Sequence, residues 1–324
     1  MLRKIELEQL LTLYSEPALA EANGSLQGVS ALWVDTWDIT APPTIDLDTA
    51  VRPVVPIIAV GSWGPEKLFD LHLTDPAALA AINTTLAEQS TACATLVQLL
   101  RHNVAASITD GLLAESLSYS TLQQSGGFKA WLATRQRKAQ TAETDEVITS
   151  HEDAGTAYLT LNRPMVHNAY NMALKDALAT HLQSLWGRQD IHTLTLRGHG
   201  PSFCAGGDLD EFGQVTDAGL AHLSRTTRSA GWLLAHIPCH TRAEVHGACI
   251  GAGIELPAFV EHIQAREDSF FQLPEIAMGL VPGAGGTVSI TRRIGRQRTA
   301  WLAISNQRVD ATTALSWGLV DSLF

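Results

Sequence analysis

Ile250-Gly-Ala-Gly-Ile-Glu-Leu-Pro257 and Gln272-Leu-Pro-Glu-Ile-Ala-Met-Gly-Leu-Val-Pro-Gly-Ala-Gly-Gly-Thr287 each set one carboxylate, Glu255 and Glu275, within a few positions of glycines. Glycine lets a main-chain N–H approach a ligand with no Cβ in the way, so both segments join a titratable group to accessible backbone donors. A third turn upstream, Ser202-Phe-Cys-Ala-Gly-Gly-Asp-Leu-Asp-Glu-Phe212, is built from the same small residues. The combination suits chemistry in which negative charge builds on a carbonyl oxygen. Two preorganised N–H groups can hold such an oxyanion, and losing one typically costs about 10²–10³ in rate.

Local patterns place these segments on a strand and helix framework. Ala157-Tyr-Leu-Thr-Leu161 predicts a short strand ending at Asn162-Arg-Pro-Met-Val-His-Asn-Ala169, where Pro164 blocks helix before a helical stretch over 171–187. Thr193-Leu-Thr-Leu-Arg197 predicts a strand running into the first glycine turn, and 269–273 another ending near Glu275. A helix is expected from Ala252 toward Val260, its dipole adding to the pull of the Ala252 N–H, with Pro257 early in it. Three residues separate Ala252 from Glu255, which puts donor and carboxylate on one helical face. The glycines at 283, 285 and 286 are expected to let their loop fold over Glu275. Thr241-Arg-Ala-Glu-Val-His246 predicts a strand with Arg242 and Glu244 on one face, expected to pair with each other or with the N-terminal segment.

The order and spacing of these three glycine segments, with Asn162-Arg-Pro and Asn168-Ala ahead of them, resemble the enoyl-CoA hydratase/isomerase (crotonase) superfamily. The resemblance runs over about 147–324. It implies an α/β fold, a crotonase-like spiral of repeated ββα units, preceded here by a mixed, helix-rich N-terminal domain. It implies an oxyanion hole from the amides of Gly207 and Ala252, with Glu255 activating water and Glu275 donating a proton during hydration of a 2-enoyl-CoA. Isomerase, thioester hydrolase and non-catalytic acyl-CoA-binding roles share that framework and stay open. The coenzyme A part of the substrate would lie along Met165, Val166, His167, Ala169, Ala205, Asp208, Leu209, Ala248, Gly251, Pro274 and Gly283, with Arg163 near a phosphate. The resemblance implies no permanently bound cofactor, an acyl-CoA thioester as partner, and a homo-oligomer, trimer or hexamer.

Residues 1–143 are expected to form a separate domain joined near the polar run 134–146, with catalytic residues in 144–324. Strands are expected at 31–37 and 54–60, and helices at 76–101, 108–123 and 128–138. No catalytic motif is apparent there, although Glu115-Ser-Leu-Ser-Tyr-Ser-Thr-Leu-Gln123 and Phe128-Lys-Ala-Trp131 resemble the cofactor-independent dihydroxyphenylacetyl-CoA dioxygenase branch of the superfamily. Relatives continue through C-terminal helices that cap the site and build trimers. The N-terminal segment is expected to compensate by covering the acyl pocket or making the subunit contact.

Composition narrows the partners. A formal charge of −11 over 324 residues argues against a nucleic-acid surface, and no apolar run approaches the roughly 20 residues of a membrane span. The amphipathic, acid-bearing N-terminus lacks a signal-peptide core, and Cys93, Cys204, Cys239 and Cys249 form no C-x-x-C pair, so a cytoplasmic protein with free thiols is expected. His236-x-x-Cys239-His240 reads as structural rather than as a metal site, because Pro238 interrupts the alignment of its histidines. Cys204 and Cys249 are expected to be small buried filler.

Overall fold

The protein is described from a computed structural model covering residues 1–39, 50–136 and 146–324. The expected boundary at 143/144 lies outside these residues.

The N-terminal part opens with β1 (Leu2–Lys4), α1 (Leu7–Ser15), α2 (Pro17–Ala22), β2 (Ala31–Asp35), β3 (Ile57–Val60) and β4 (Leu71–Leu73). The four strands form a parallel sheet in the order β1-β2-β3-β4. Alternate residues serve opposite faces. Leu32, Val34, Ile57 and Ala59 pack on Leu10, Leu13 and Tyr14 of α1, whereas Ala31, Ile58 and Val60 join a larger core that runs on into the rest of the molecule.

Four helices follow: α3 (Pro76–Glu88), α4 (Ser90–Asn103), α5 (Ile108–Leu122) and α6 (Gly126–Ala133). The single helix expected over 76–101 is two, because Gln89 leaves helical geometry at φ −117° and ψ 36°. The helix expected over 128–138 starts earlier, where the Ser125 side chain caps the Phe128 amide, and stops at Ala133.

From residue 148 the chain repeats one unit. β5 (Ile148–Asp153) and β6 (Thr156–Leu161) form a hairpin, then come α7 (Met172–Leu185), β7 (Thr193–Gly198), α8 (Ala218–Thr227), α9 (Ala230–His236), β8 (His240–Val245), β9 (Ala248–Ile250) and α10 (Ala252–Glu255). The last elements are β10 (His262–Ala265), β11 (Phe270–Gln272), α11 (Gly286–Ser305), β12 (Val309–Asp310), α12 (Ala311–Trp317) and β13 (Ser322–Leu323). One sheet has six strands, β13-β10-β8-β7-β6-β5, and a second has three, β12-β11-β9, which backbone pairing of Cys204 with Cys249 extends toward the first glycine turn. This is the ββα spiral, and it brings the C-terminal ends of successive strands to one place.

α11 joins the two parts. Its Arg296 and Arg101 of α4 both reach the buried Asp70, at 2.6 and 2.5 Å, and Gln297 donates to the carbonyls of Gly64 and Phe69. Among the described residues, no helix is long and apolar enough to cross a membrane.

Two strand expectations are corrected. Glu244 pairs with Arg197 on neighbouring β7 at 2.8 Å, and Arg197 in turn covers the Tyr158 ring. Arg242 is exposed with no carboxylate of the described residues at ion-pair distance, so water solvates it. The helix expected from Ala252 to Val260 is one turn, α10, followed by a separate 3-10 turn at Pro257–Phe259. A single turn contributes little macrodipole, leaving the Ala252 N–H to act as an individual donor.

Candidate active site

A cavity of about 590 Å³ opens where the glycine turns, α10 and α5 meet. Gly207, Ala252, Glu255 and Glu275 all line it. The residues flanking the two candidate donors are fastened. Tyr170 N donates to Gly206 O at 2.7 Å and Asp208 N to Tyr170 O at 3.0 Å, while Ile254 N and Glu255 N both donate to Gly251 O at 2.9 Å. The amides of Gly207 and Ala252 donate to no backbone or side-chain acceptor among the described residues. A main-chain N–H fixed on both sides and unpaired is a preorganised donor.

Gly251 makes the arrangement possible. Its φ is +49°, and a Cβ there would collide with Glu275 Oε1. The backbone therefore turns sharply into α10 with the Glu275 carboxyl lying against it.

Glu255 is 2% exposed, and its Oε2 accepts from Ala284 N at 2.8 Å and Gly286 N at 2.9 Å. The 283–286 loop thus folds over Glu255, not over Glu275 as the sequence suggested; a Cβ on Gly286 would lie 2.6 Å from Glu255 Cγ. Burial pushes the Glu255 carboxyl up to about 7 against the pull of those two amides. Glu275 is buried with an unpartnered Oε2, and burial followed by the charge of Glu255 holds its proton well above the usual carboxylate range. The two acids differ in their donors: two amides favour the anion of Glu255, whereas Glu275 Oε2 has no partner among the described residues.

A third carboxylate comes from the N-terminal part. Glu115 of α5 is 2% exposed, lines the same cavity, and accepts from Gly285 N at 2.7 Å, Thr287 N at 2.9 Å and Thr287 Oγ1 at 2.6 Å. Burial and then Glu255 push it up to about 8, although its three donors favour the anion. One turn on, Tyr119 packs against Gly283 and its phenol is raised by burial.

Of the other expected contacts, Asp208 and Gly283 line the cavity, whereas Met165, Val166, His167, Ala169, Ala205, Leu209, Ala248, Gly251 and Pro274 do not. Met165 is 84% exposed, and His167 is exposed with Nδ1 3.0 Å from Ser202 Oγ. Ala205 N donates to His167 O at 2.9 Å, so the 163–169 loop runs beside the glycine turn outside the cavity. Arg163 is buried and reaches Asp208 at 3.2 Å and the Ala169 carbonyl, which ties that loop to the turn instead of presenting the guanidinium to a phosphate. Burial raises the Cys204 thiol to about 12 and that of Cys249 well above its usual value, so both are protonated filler. His236 Nδ1 donates to Trp232 O at 2.8 Å, and His240 Nδ1 lies 2.9 Å from Glu261 Oε2.

Residues 151–324 match the profile of the family described as Enoyl-CoA hydratase/isomerase. The chain belongs to this family. It is 34% identical to 2,3-dehydroadipyl-CoA hydratase of Escherichia coli (strain K12) over 169 residues, 51% of this chain and 64% of that protein. It is 33% identical to the 1,2-epoxyphenylacetyl-CoA isomerase of the same organism over 180 residues, 54% of this chain and 68% of that protein. Among solved structures, Pseudomonas aeruginosa DspI aligns with a TM-score of 0.52 at 30% identity, covering 58% of this chain and 71% of that one. Enoyl-CoA hydratase of Mycobacterium smegmatis aligns with a TM-score of 0.52 at 28% identity, covering 55% and 70%. The chain spans about two thirds of the length of the curated relatives it matches.

In this member of the enoyl-CoA hydratase/isomerase family, the cavity wall formed by α5 lies outside the matched residues. Sequence reasoning missed Glu115 and Tyr119 as cavity residues. The signal was a polar set at 115, 116, 119 and 120, spaced to share one face of a helix. Of the N-terminal part, α5 supplies Thr109, Leu112, Leu113, Glu115, Ser116 and Tyr119 to the cavity lining.

Proposed function

We propose that the protein hydrates a 2-enoyl-CoA thioester. The thioester oxygen would accept from the Gly207 and Ala252 amides, drawing electrons from the α,β double bond. Glu255, whose anion two backbone amides favour, takes a proton from water as the water oxygen bonds to the β-carbon. Glu275, held neutral by burial, gives its proton to the α-carbon, so one H and one OH are added and the two carboxyls exchange protonation. Return of the proton from Glu255 to Glu275 resets the site.

The observation that carries this reading is that two unpaired amides and two buried carboxyls, one held by two backbone donors and the other with an unpartnered oxygen, line one cavity. The names of relatives that act as hydratases on acyl-CoA support it, as does the family itself. Decay of enoyl-thioester absorbance should be seen with the native chain and fall by about 10²–10⁴ in Glu275→Gln, the range of a general acid. An unchanged rate in that variant, or a shifted double bond with no 3-hydroxyacyl product, would remove the assignment.

A further inference from the structure

Arg225, in the last turn of α8, lines the cavity and is largely buried. Its guanidinium lies over the Tyr119 ring, 4.9 Å from the centroid. Nε donates to Ser116 Oγ at 3.1 Å, and Nη2 to Ser116 O at 3.3 Å and to Ser120 Oγ. His222 Nδ1 meets the same Ser116 Oγ at 2.9 Å. These contacts fix the plane of the fork and leave Nη1 without a bond to any described group.

No carboxylate of the described residues lies at ion-pair distance from Arg225, and burial disfavours its charge. Lys175 of α7 lines the same cavity and likewise finds only a hydroxyl, Ser224 Oγ at 2.9 Å, whereas nearby Arg228 is neutralised by Asp176 at 3.0 Å. Both cations are partly desolvated and have no carboxylate in contact, Glu115 acting on Arg225 and Asp176 and Glu211 on Lys175 only at longer range, so an anion brought by a ligand would add the missing contact pair. Arg225 contacts α5 at the residue following Glu115, so this positive wall stands beside the three carboxyls. With Nε and Nη2 already bonded, Nη1 is the nitrogen left to donate to an anionic acceptor, in a plane the serines have fixed.

We propose that Arg225 binds a carboxylate at the far end of the acyl group, which makes the substrates ω-carboxyacyl-CoA thioesters. The proposal rests on reading the cavity as an acyl-CoA site. A phosphate of coenzyme A is the other anion that could reach a guanidinium, and the experiment separates the two.

Titration calorimetry of the full chain with adipyl-CoA, hexanoyl-CoA and free coenzyme A requires binding only, so it is independent of whether hydration occurs. Adipyl-CoA should bind at least about 30-fold more tightly than hexanoyl-CoA, the factor for one desolvated charge pair. Arg225→Gln should abolish that preference while leaving hexanoyl-CoA and coenzyme A as they were. Arg225→Lys should keep part of it, retaining charge but not the fork. Equal affinity of the native chain for the two acyl-CoAs would overturn the proposal. So would an Arg225→Gln variant that weakens all three ligands together, which would assign the guanidinium to a phosphate. If that variant does not fold, Arg225→Lys and Ser120→Ala carry the comparison, because both keep the cation, and an unaltered adipyl preference in both counts against the site. Failure of every thioester to bind would instead remove the proposed function itself.

Discussion

Glu115 and Glu255 divide the start of α11 between them by alternate residues: Ala284 and Gly286 donate to Glu255, and Gly285 and Thr287 donate to Glu115. One carboxyl comes from the spiral and the other from the N-terminal part, yet they share four consecutive amides. Each therefore helps to set the position and proton affinity of the other.

Glu115→Gln leaves an NH2 facing one of the carboxyl's former donors. Burial and then the charge of Glu255 push Glu115 up to about 8, so it is protonated while Glu255 ionises near 7, and the acid limb of the kcat/KM profile should stay in place. Stability should fall by about 1–3 kcal/mol from the unsatisfied amide. An acid limb displaced to lower pH would show that Glu115 carries a charge beside Glu255 in that range.

The pH dependence has a defined sign. Hydration requires ionised Glu255 and protonated Glu275, so kcat/KM should rise through about 7 and decline at higher pH, the limbs belonging to the coupled carboxyls jointly. Stability should run the other way. Raised carboxyl values mean that the folded chain holds protons the unfolded chain releases, so this contribution is fullest below the unfolded carboxylate value and is lost as pH rises through about 7 to 8. Thermal melts from pH 5 to 9 test this, and Glu255→Gln should flatten the trend.

Ala252→Pro deletes one proposed oxyanion donor at the first position of α10, where proline's φ suits the backbone. Turnover should fall by at least about 10² while the circular dichroism spectrum is kept. Near-native turnover would disqualify this amide.

Gly251→Ala brings strain at a positive φ and a collision with Glu275 Oε1. The backbone strain alone should cost about 1–3 kcal/mol. Turnover should drop by more than stability explains, since the displaced group is the proposed acid; denaturant titration alongside kinetics separates the two effects.

Asp70→Ala leaves Arg101 and Arg296 buried without their shared carboxylate, at a cost of about 3–5 kcal/mol. Burial pushes Asp70 up, but the two guanidinium groups outweigh it and hold it below the usual carboxylate range. Its contribution is thus present above the unfolded carboxylate value and lost as pH falls through the folded one. Equal acid stability of the native and variant proteins would contradict this coupling.

Much of the spiral was legible because its signals are local. Alternation marked β6 and β7, Pro164 marked the end of a strand, and Asn171 capped α7 through its side chain. Glu255 and Glu275 stood out for the same reason, each beside glycines that serve no ordinary helix or strand. The break at Gln89 was not legible, since no glycine or proline falls within 77–101 to mark it. Arg242 and Glu244 misled because strand periodicity reports which residues share a face, whereas the partner of Glu244 sits on the adjacent strand.

The sequence by itself determined several short strands and set Glu255 and Glu275 beside glycine turns, because alternation and glycine are local signals. The ββα framework and the amides of Gly207 and Ala252 came from resemblance to the family. Only the tertiary structure decided that Glu115, Tyr119 and Arg225 reach the same cavity, and that the 283–286 loop closes on Glu255. Residues 110 positions apart, such as Glu115 and Arg225, meet through burial of apolar helix faces, and no local pattern encodes which polar groups that burial will bring together.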